Sequence, residues 1–411
     1  MAEVYEATCT APVNIAVVKY WGKRDTSLIL PTNSSLSVTL SQDHLRSLTS
    51  ARALPSGATK DRLWLNGEEE DIKEGGRTAR CLAEMRALRK ELEAKDSSLP
   101  PLSTYPVHIA SENNFPTAAG LASSASGLSA LIATLSSLYS LTPENGVSTS
   151  ALSRIARQGS GSACRSMFGG YVAWEMGSQA DGSDSVAVEV APASHWPDLH
   201  ALILVVSDKK KGTPSTAGMQ RTVATSALLQ HRINHVPERM ERMSAAIRAR
   251  DFDAFAEETM ADSNQFHAVC LDTQPPIFYM NDVSRAVIQL VGELNRASVA
   301  AGQGVQAAYT YDAGPNAVLY VQEKDVARVL SLVLRYFPQT ETSFPDPFAL
   351  GDKASPQNPL PFEGFNEGVI PKHEVGAVAR IIHTKVGDGP RVLGKEESLI
   401  GADGMPKSVK A

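Results

Sequence analysis

Four cysteines in 411 residues, Cys9, Cys81, Cys164 and Cys270, lie too far apart to form a C-x-x-C pair, so neither a zinc site nor a disulfide framework is indicated. Free thiols fit a reducing compartment. Long apolar runs are missing too, since none approaches the roughly 18 residues of a membrane span. Met1 to Thr10 carries Glu3 and Glu6 and reads as a strand, not as a signal peptide. A cytoplasmic location with no membrane partner is therefore expected. Excess positive charge is also absent: a net charge of −6 and a pI near 5.9 argue against a nucleic-acid partner held by bulk electrostatics. No G-x-x-x-x-G-K-[ST] occurs, which excludes a Walker nucleotide site. Any phosphate recognition must then be local.

What is present is an ordinary globular composition, 43% hydrophobic and 20% charged, on a chain long enough for two lobes or one large domain with a deep cleft. The most informative stretch runs from Asn113 to Ser126. After Pro116 its only bulky side chain is Leu121, so the backbone can approach a ligand closely while Ser123, Ser124 and Ser126 offer hydroxyls. Leu128, Leu131, Ile132, Leu135, Leu138 and Tyr139 then keep the spacing of an amphipathic helix. A small-residue loop feeding a helix N-terminus is an anion site, with phosphate the usual occupant.

Short β-prone runs at Val4 to Thr10, Ile15 to Trp21 and Leu36 to Leu40 predict an antiparallel opening sheet. Between them, Lys19-Tyr20-Trp21-Gly22-Lys23-Arg24-Asp25 has two readings, a strand end turning at Gly22 with solvated charges, or a cationic ligand patch. Leu63 to Gly67 reads as a strand and turn, Arg77 to Lys95 as a surface-packed charged helix, and His108 to Ser111 as a strand. Gly159 to Ser166 forms a second loop of small and hydroxyl residues around Arg165. It is either a flexible turn or an anion loop, and arginine's planar fork favours the second. Gln179 to Ser185 and His195 to Asp198 mark a boundary, giving expected lobes of residues 1–195 and 196–411.

Leu202 to Val206 reads as a buried strand leading to the basic loop Ser207 to Thr216, whose Lys209, Lys210 and Lys211 are either solvated or near an anion. Ala217 to Arg296 reads as mostly helical, broken at Pro237 and Pro275-Pro276. Asp312-Ala313-Gly314-Pro315-Asn316 is a tight turn between strands Ala307 to Tyr311 and Ala317 to Val321. Its aspartate is either a local Asx-turn residue or a rigidly held reactive carboxylate. Seven prolines between 338 and 371 predict a loop, and Ala377 to Thr384 a final strand. Gly302-Gln303-Gly304-Val305-Gln306-Ala307 satisfies G-x-G-x-x-A but precedes a strand, so it is no dinucleotide fingerprint.

Pro116-Thr117-Ala118-Ala119-Gly120-Leu121-Ala122-Ser123-Ser124-Ala125-Ser126 resembles the phosphate loop of the galactokinase, homoserine kinase, mevalonate kinase and phosphomevalonate kinase superfamily. Ala122 stands where a glycine is usual, and Arg165 where those kinases tend to carry an acid. With Ala11 to Ala16, Lys19 to Lys23 and Asp312 to Ala317, the pattern resembles the diphosphomevalonate decarboxylase branch. The resemblance implies a two-lobed α+β fold with a ribosomal S5-like N-terminal lobe, a ferredoxin-like C-terminal lobe and a deep cleft. It implies ATP-dependent decarboxylation of mevalonate 5-diphosphate to isopentenyl diphosphate, in a homodimer. It further implies Asp312 as base, with Lys19 beside it, Arg165 and Asn14 on the substrate carboxylate, and Gly120, Leu121, Ala122, Ser123, Ser124 and Asn113 around ATP. Ser124 would meet Mg²⁺, and Tyr20, Lys23, Ser160, Ser162, Ser215 and Met219 would hold the substrate diphosphate. A kinase that stops at phosphorylation and a non-catalytic ligand sensor on the same scaffold are the alternatives.

Overall fold

The computed structural model describes residues 4–115, 123–206, 212–340 and 344–408. The chain opens with β1 (Tyr5–Pro12), β2 (Asn14–Val18), β3 (Lys23–Asp25), β4 (Leu30–Pro31), β5 (Ser35–Thr39), β6 (Arg46–Ala53), β7 (Arg62–Leu65) and β8 (Glu68–Glu70). Next come α1 (Arg77–Lys95), β9 (Val107–Asn113), α2 (Ser123–Leu138), α3 (Thr149–Gly159), β10 (Tyr171–Trp174), β11 (Ala187–Ala191) and β12 (Leu199–Val205). Four helices follow, α4 (Ser215–Thr225), α5 (Ala227–Ala249), α6 (Phe252–Asp272) and α7 (Asp282–Ala300). The last elements are β13 (Ala308–Tyr311), β14 (Ala317–Gln322), α8 (Val326–Tyr336), β15 (Arg380–Lys385) and β16 (Arg391–Leu393).

The result is a mixed α+β fold built on three main sheets, ordered β16-β1-β6-β9-β7-β8, β11-β10-β5-β2 and β13-β14-β12-β15. Among the described residues only β7 and β9 pair in parallel. Strand β12 explains how two layers share one sheet. Side chains alternate across a strand, so Leu199, Ala201, Ile203 and Val205 enter a core with Val13, Val38, Tyr171 and Phe255. Leu202 and Leu204 enter a second core with Leu290, Leu294, Leu319 and Leu330. The first of these cores draws on both halves of the chain, and so ties β2, β5 and β10 to β12 and β14.

The expected break at Pro237 does not occur, because that residue lies inside α5. An interior proline costs about 3 kcal/mol, and the buried face carrying Leu229, Val236, Met240 and Met243 offsets it. The interruption falls instead at Ser226, whose hydroxyl caps α5 by accepting from Leu229 N at 3.2 Å. Helix α8, unread in the sequence, holds the proline-rich segment. Ser331 Oγ accepts from Ser355 N at 3.1 Å, and Arg335 Nε donates to Pro356 O at 3.1 Å. Among its described residues that segment has no strand or α-helix, as a loop reading requires. After β15 the chain returns to the first sheet, where β16 pairs with β1.

That return depends on Gly169 and Gly170. Gly170 has φ +71°, and a Cβ there would sit 2.4 Å from Ala191 O and 2.6 Å from Ala193 N. Its own N–H donates to Gly387 O at 2.9 Å, while its carbonyl accepts from Thr39 N at 2.8 Å. Gly170→Ala should therefore lose at least about 2 kcal/mol in denaturant unfolding, from positive φ plus a backbone clash. Gly292→Ala, in α7 where a Cβ meets open space, should instead gain roughly 0.5–1 kcal/mol.

Candidate active site

Strand β2 ends at Val18, and the next residue turns its side chain into a cleft. Both backbone groups of Lys19 are held: its N–H donates to Asp262 Oδ2 at 2.7 Å, and its carbonyl accepts from Arg232 Nη2 at 2.9 Å and Asn33 Nδ2 at 3.0 Å. Lys19 Nζ donates to Asp312 Oδ1 at 2.7 Å. The lysine side chain is 3% exposed and the aspartate 32%. The solvated reading of Lys19 and Lys23 is thus overturned, since both are buried. Arg24 alone among the three cations stays exposed.

Asp312 begins the turn between β13 and β14. Ser263 Oγ accepts from Tyr311 N at 3.0 Å, Asn316 Oδ1 accepts from Val206 N at 2.8 Å, and Ser284 Oγ donates to Pro315 O at 2.8 Å. The turn is pinned on three sides. Its carboxylate reaches across to Lys19, which a purely local Asx turn would not do. His267 lies nearby, but burial and then the Lys19 charge push its imidazole down to about 4. It is neutral at physiological pH, so it carries no acidic imidazolium proton there.

Arg165 sits in the 3₁₀ turns Gly161–Met167 and is 3% exposed. Its Nε donates to Ser37 Oγ at 3.0 Å and Asn14 Oδ1 at 3.2 Å, and Nη1 donates to Ser35 Oγ. Asn14 is oriented by donating Nδ2 to Ser166 Oγ at 2.7 Å and Ser162 O at 3.2 Å. Every hydrogen-bond partner of this buried guanidinium is neutral, and among the described residues no carboxylate lies within ion-pair distance of it. Burial pulls its proton affinity down. A desolvated cation with no carboxylate in direct contact is costly, and an anionic ligand would offset that cost.

A second cationic group lies across the same cleft. Lys23 Nζ donates to Thr216 Oγ1 at 3.4 Å, and Arg77 Nη2 donates to the same oxygen at 3.1 Å. Burial, followed by the Arg77 charge, pushes the Lys23 ammonium down to about 8. Ser215 and Met219, one turn apart on α4, share this wall with Tyr20, Ser160 and Ser162. Tyr20 packs edge-on against Trp174 at 4.6 Å, and burial raises its phenol. Ser124, on the first turn of α2, lies 3.2 Å from Ser160 Oγ.

The structure therefore brings Asn14, Lys19, Tyr20, Lys23, Ser124, Ser160, Ser162, Arg165, Ser215, Met219 and Asp312 around one cleft. Asn113 and Ser123 line a neighbouring cavity with Leu63, Leu65, Leu128 and Leu131, and Ser124 borders both. Gly120, Leu121 and Ala122, like Lys209, Lys210 and Lys211, lie outside the described residues.

Sequence reasoning missed Arg77, Thr216 and the support of Lys19 by Asp262 and Arg232. Arg77 reads in the sequence as part of a surface helix. Its position was a signal: α1 has no acid in its first turn and starts on a cation, against the helix dipole. Asp262 was signalled by an acid on the apolar stripe Phe255, Thr259, Phe266 and Val269.

Residues 201–393 match the family model described as Mevalonate 5-diphosphate decarboxylase C-terminal domain, and residues 11–187 the Diphosphomevalonate decarboxylase-like N-terminal domain. The diphosphomevalonate decarboxylase of Ganoderma lucidum is 66% identical over 405 residues, covering 98% of this chain and 100% of that one. That of Saccharomyces cerevisiae is 52% identical over 406 residues, covering 98% and 99%. Among solved structures, mevalonate diphosphate decarboxylase from Trypanosoma brucei is 39% identical with a TM-score of 0.84, covering 96% of this chain and 100% of that one. A structure described as MDDEF in complex with MVAPP, AMPPCP and magnesium is 28% identical with a TM-score of 0.70, over 96% and 100%. With two family models spanning most of its length and full-length relatives above half identity, the chain belongs to the diphosphomevalonate decarboxylase family.

Proposed function

We propose that this cleft carries out the ATP-dependent decarboxylation of mevalonate 5-diphosphate to isopentenyl diphosphate, ADP, phosphate and CO2. The observation that carries the reading is Arg165, a buried guanidinium whose hydrogen-bond partners are all neutral, placed in the same cleft as the Lys19 and Asp312 pair. A kinase that stops at phosphorylation has no need of a cation dedicated to a substrate carboxylate. The relative solved with MVAPP, AMPPCP and magnesium supports the substrate, nucleotide and metal.

Asp312 takes the proton of the substrate's tertiary hydroxyl, a step worth roughly a hundredfold to ten-thousandfold. The ammonium of Lys19, 2.7 Å away, favours the ionised carboxylate and adds positive charge where phosphoryl transfer needs it. Bound ATP with Mg²⁺ would supply the phosphoryl group that turns the hydroxyl into a leaving group. Ser124 would meet the metal, while Asn113, Ser123 and the loop of Gly120, Leu121 and Ala122 cradle the nucleotide. The cavity beside α2 suits that role, with leucines for a base and the hydroxyls of Ser123 and Ser124 in the same lining. Arg165 and Asn14 orient the substrate carboxylate so that CO2 leaves as positive charge develops at the tertiary carbon, and no second base is required. Lys23 and Arg77, with Tyr20, Ser160, Ser162, Ser215, Thr216 and Met219, hold the diphosphate. In this reading the ATP side belongs to residues 1–195, and Asp312 comes from residues 196–411.

Incubation with ATP and mevalonate 5-diphosphate should release CO2 in step with ADP; ADP accompanied by a stable phosphorylated product and no CO2 would leave only a kinase. Asp312→Asn should lower kcat by at least about a hundredfold with little change in KM, and a loss confined to KM would make it a binding residue. The Lys23 ammonium, pushed down to about 8, is charged below that pH and neutral above it. KM for mevalonate 5-diphosphate should therefore rise as pH increases through about 8, and Lys23→Arg should remove that rise, since arginine stays charged. A pH-independent KM over that range would take Lys23 out of the diphosphate site.

A further inference from the structure

Lys19 and Asp312 come from distant parts of the chain, yet adjacent residues of one helix hold the backbone on both sides. On α6, Asp262 Oδ2 accepts from Lys19 N at 2.7 Å, and Ser263 Oγ accepts from Tyr311 N at 3.0 Å, one residue before Asp312. Asp262 and Ser263 are 0% and 1% exposed. We infer that Asp262 and Ser263 are positioning residues of the reaction: by fixing the peptide groups beside the two reacting side chains, they set the contact between Lys19 Nζ and the Asp312 carboxylate. The inference rests on the reading of Lys19 and Asp312 as the reacting pair.

The clamp is reinforced by charge. Arg232 grips Asp262 with two hydrogen bonds, at 2.8 and 3.1 Å, and its Nη2 also donates to Lys19 O at 2.9 Å. One ion pair thus holds both backbone groups of Lys19, its N–H through the carboxylate and its carbonyl through the guanidinium. Arg239 adds a bond to Asp262 Oδ1 at 3.0 Å, and Gln265 Oε1 accepts from both arginines at 2.8 and 2.9 Å. Burial alone would raise the Asp262 carboxyl, but Arg232, the Lys19 N–H and Arg239 outweigh it and hold it below the usual carboxylate range. The aspartate is therefore an anion that cannot drift toward solvent, and the peptide it binds cannot drift either. Helix spacing does the remainder: Asp262 and Ser263 point toward different neighbours because consecutive residues are turned about 100° apart on a helix.

Substituting a group that acts only through another should lower kcat while leaving KM nearly unchanged, and the loss should vanish once the group it positions is gone. Asp262→Asn should lower kcat about tenfold or more at unchanged KM for both substrates. In a Lys19→Met background, where nothing remains to be aimed, the same change should cost less than about twofold further. Equal losses in the two backgrounds, or a loss that tracks only the folded fraction seen by circular dichroism, would overturn the inference. Should Asp262→Asn fail to fold, Ser263→Ala removes a single acceptor and must show the same kcat loss at unchanged KM, so an unchanged kcat there overturns it equally. If Lys19→Met itself leaves kcat intact, the reading of the reacting pair fails instead, so the two failures are told apart.

Discussion

The contact between Lys19 Nζ and Asp312 Oδ1 is the constraint around which the cleft is arranged. One partner leaves the end of β2, and the other begins the turn after β13, so the pair forms only if the sheets carrying them keep their relative position. That position is set by a core to which β2, β5 and β10 contribute one wall and β12 and β14 another, with Phe255 of α6 packed between them. Close-packed interiors resist displacement of this kind. The Lys19–Asp312 contact is therefore a property of the whole core, although only two side chains touch.

The charge pattern of the cleft inverts that of the molecule. The chain carries a net charge of −6, yet Lys19, Lys23, Arg77 and Arg165 surround one cavity in which Asp312 is the only carboxylate among the described residues of the lining. Global attraction for an anion is not available, so recognition has to come from short-range desolvated contacts, which salt screens poorly. Lys23 and Arg77 converge on Thr216, and burial followed by the Arg77 charge pushes the Lys23 ammonium down to about 8. A diphosphate between them would relieve both. Selectivity follows from the same arrangement, because a neutral ligand leaves the buried Lys23 ammonium facing the exposed Arg77 guanidinium with no anion between them.

Much of this was legible in the sequence. The helix Arg77 to Lys95 appears with the expected bounds, and the strands around Asp312 fall within a residue of their reading, because alternating or helical apolar spacing is a local signal. The lining residues Tyr20, Lys23, Ser160, Ser162, Ser215 and Met219 were legible only through the family resemblance, which matched them position by position. What escaped was decided by tertiary contacts. Pro237 reads as a break in isolation, and only the buried face of α5 shows why the helix runs through it. Asp262 and Arg232 lie in amphipathic helices that look ordinary one at a time. Their meaning appears when α5 and α6 pack and bring an arginine, an aspartate and the peptide of Lys19 to one point.

The loop around Arg165 shows why low complexity there does not mean looseness. Gly159 and Gly161 have no room for a side chain: a Cβ at Gly159 would lie 2.6 Å from Leu128 Cδ1, and one at Gly161 would lie 2.8 Å from Tyr20 Cε1 and 3.1 Å from Trp174. The hydroxyls have an electrical reason as well. A buried guanidinium needs acceptors, and Ser35, Ser37 and Asn14 accept from its Nε and Nη1 without neutralising it. A carboxylate in any of those places would hold Arg165 more tightly and leave it nothing to offer a substrate. Serine, asparagine and glycine are thus the residue types that let the cation be buried and fixed without being neutralised, so the sparse chemistry of the segment is what suits it to an anionic ligand.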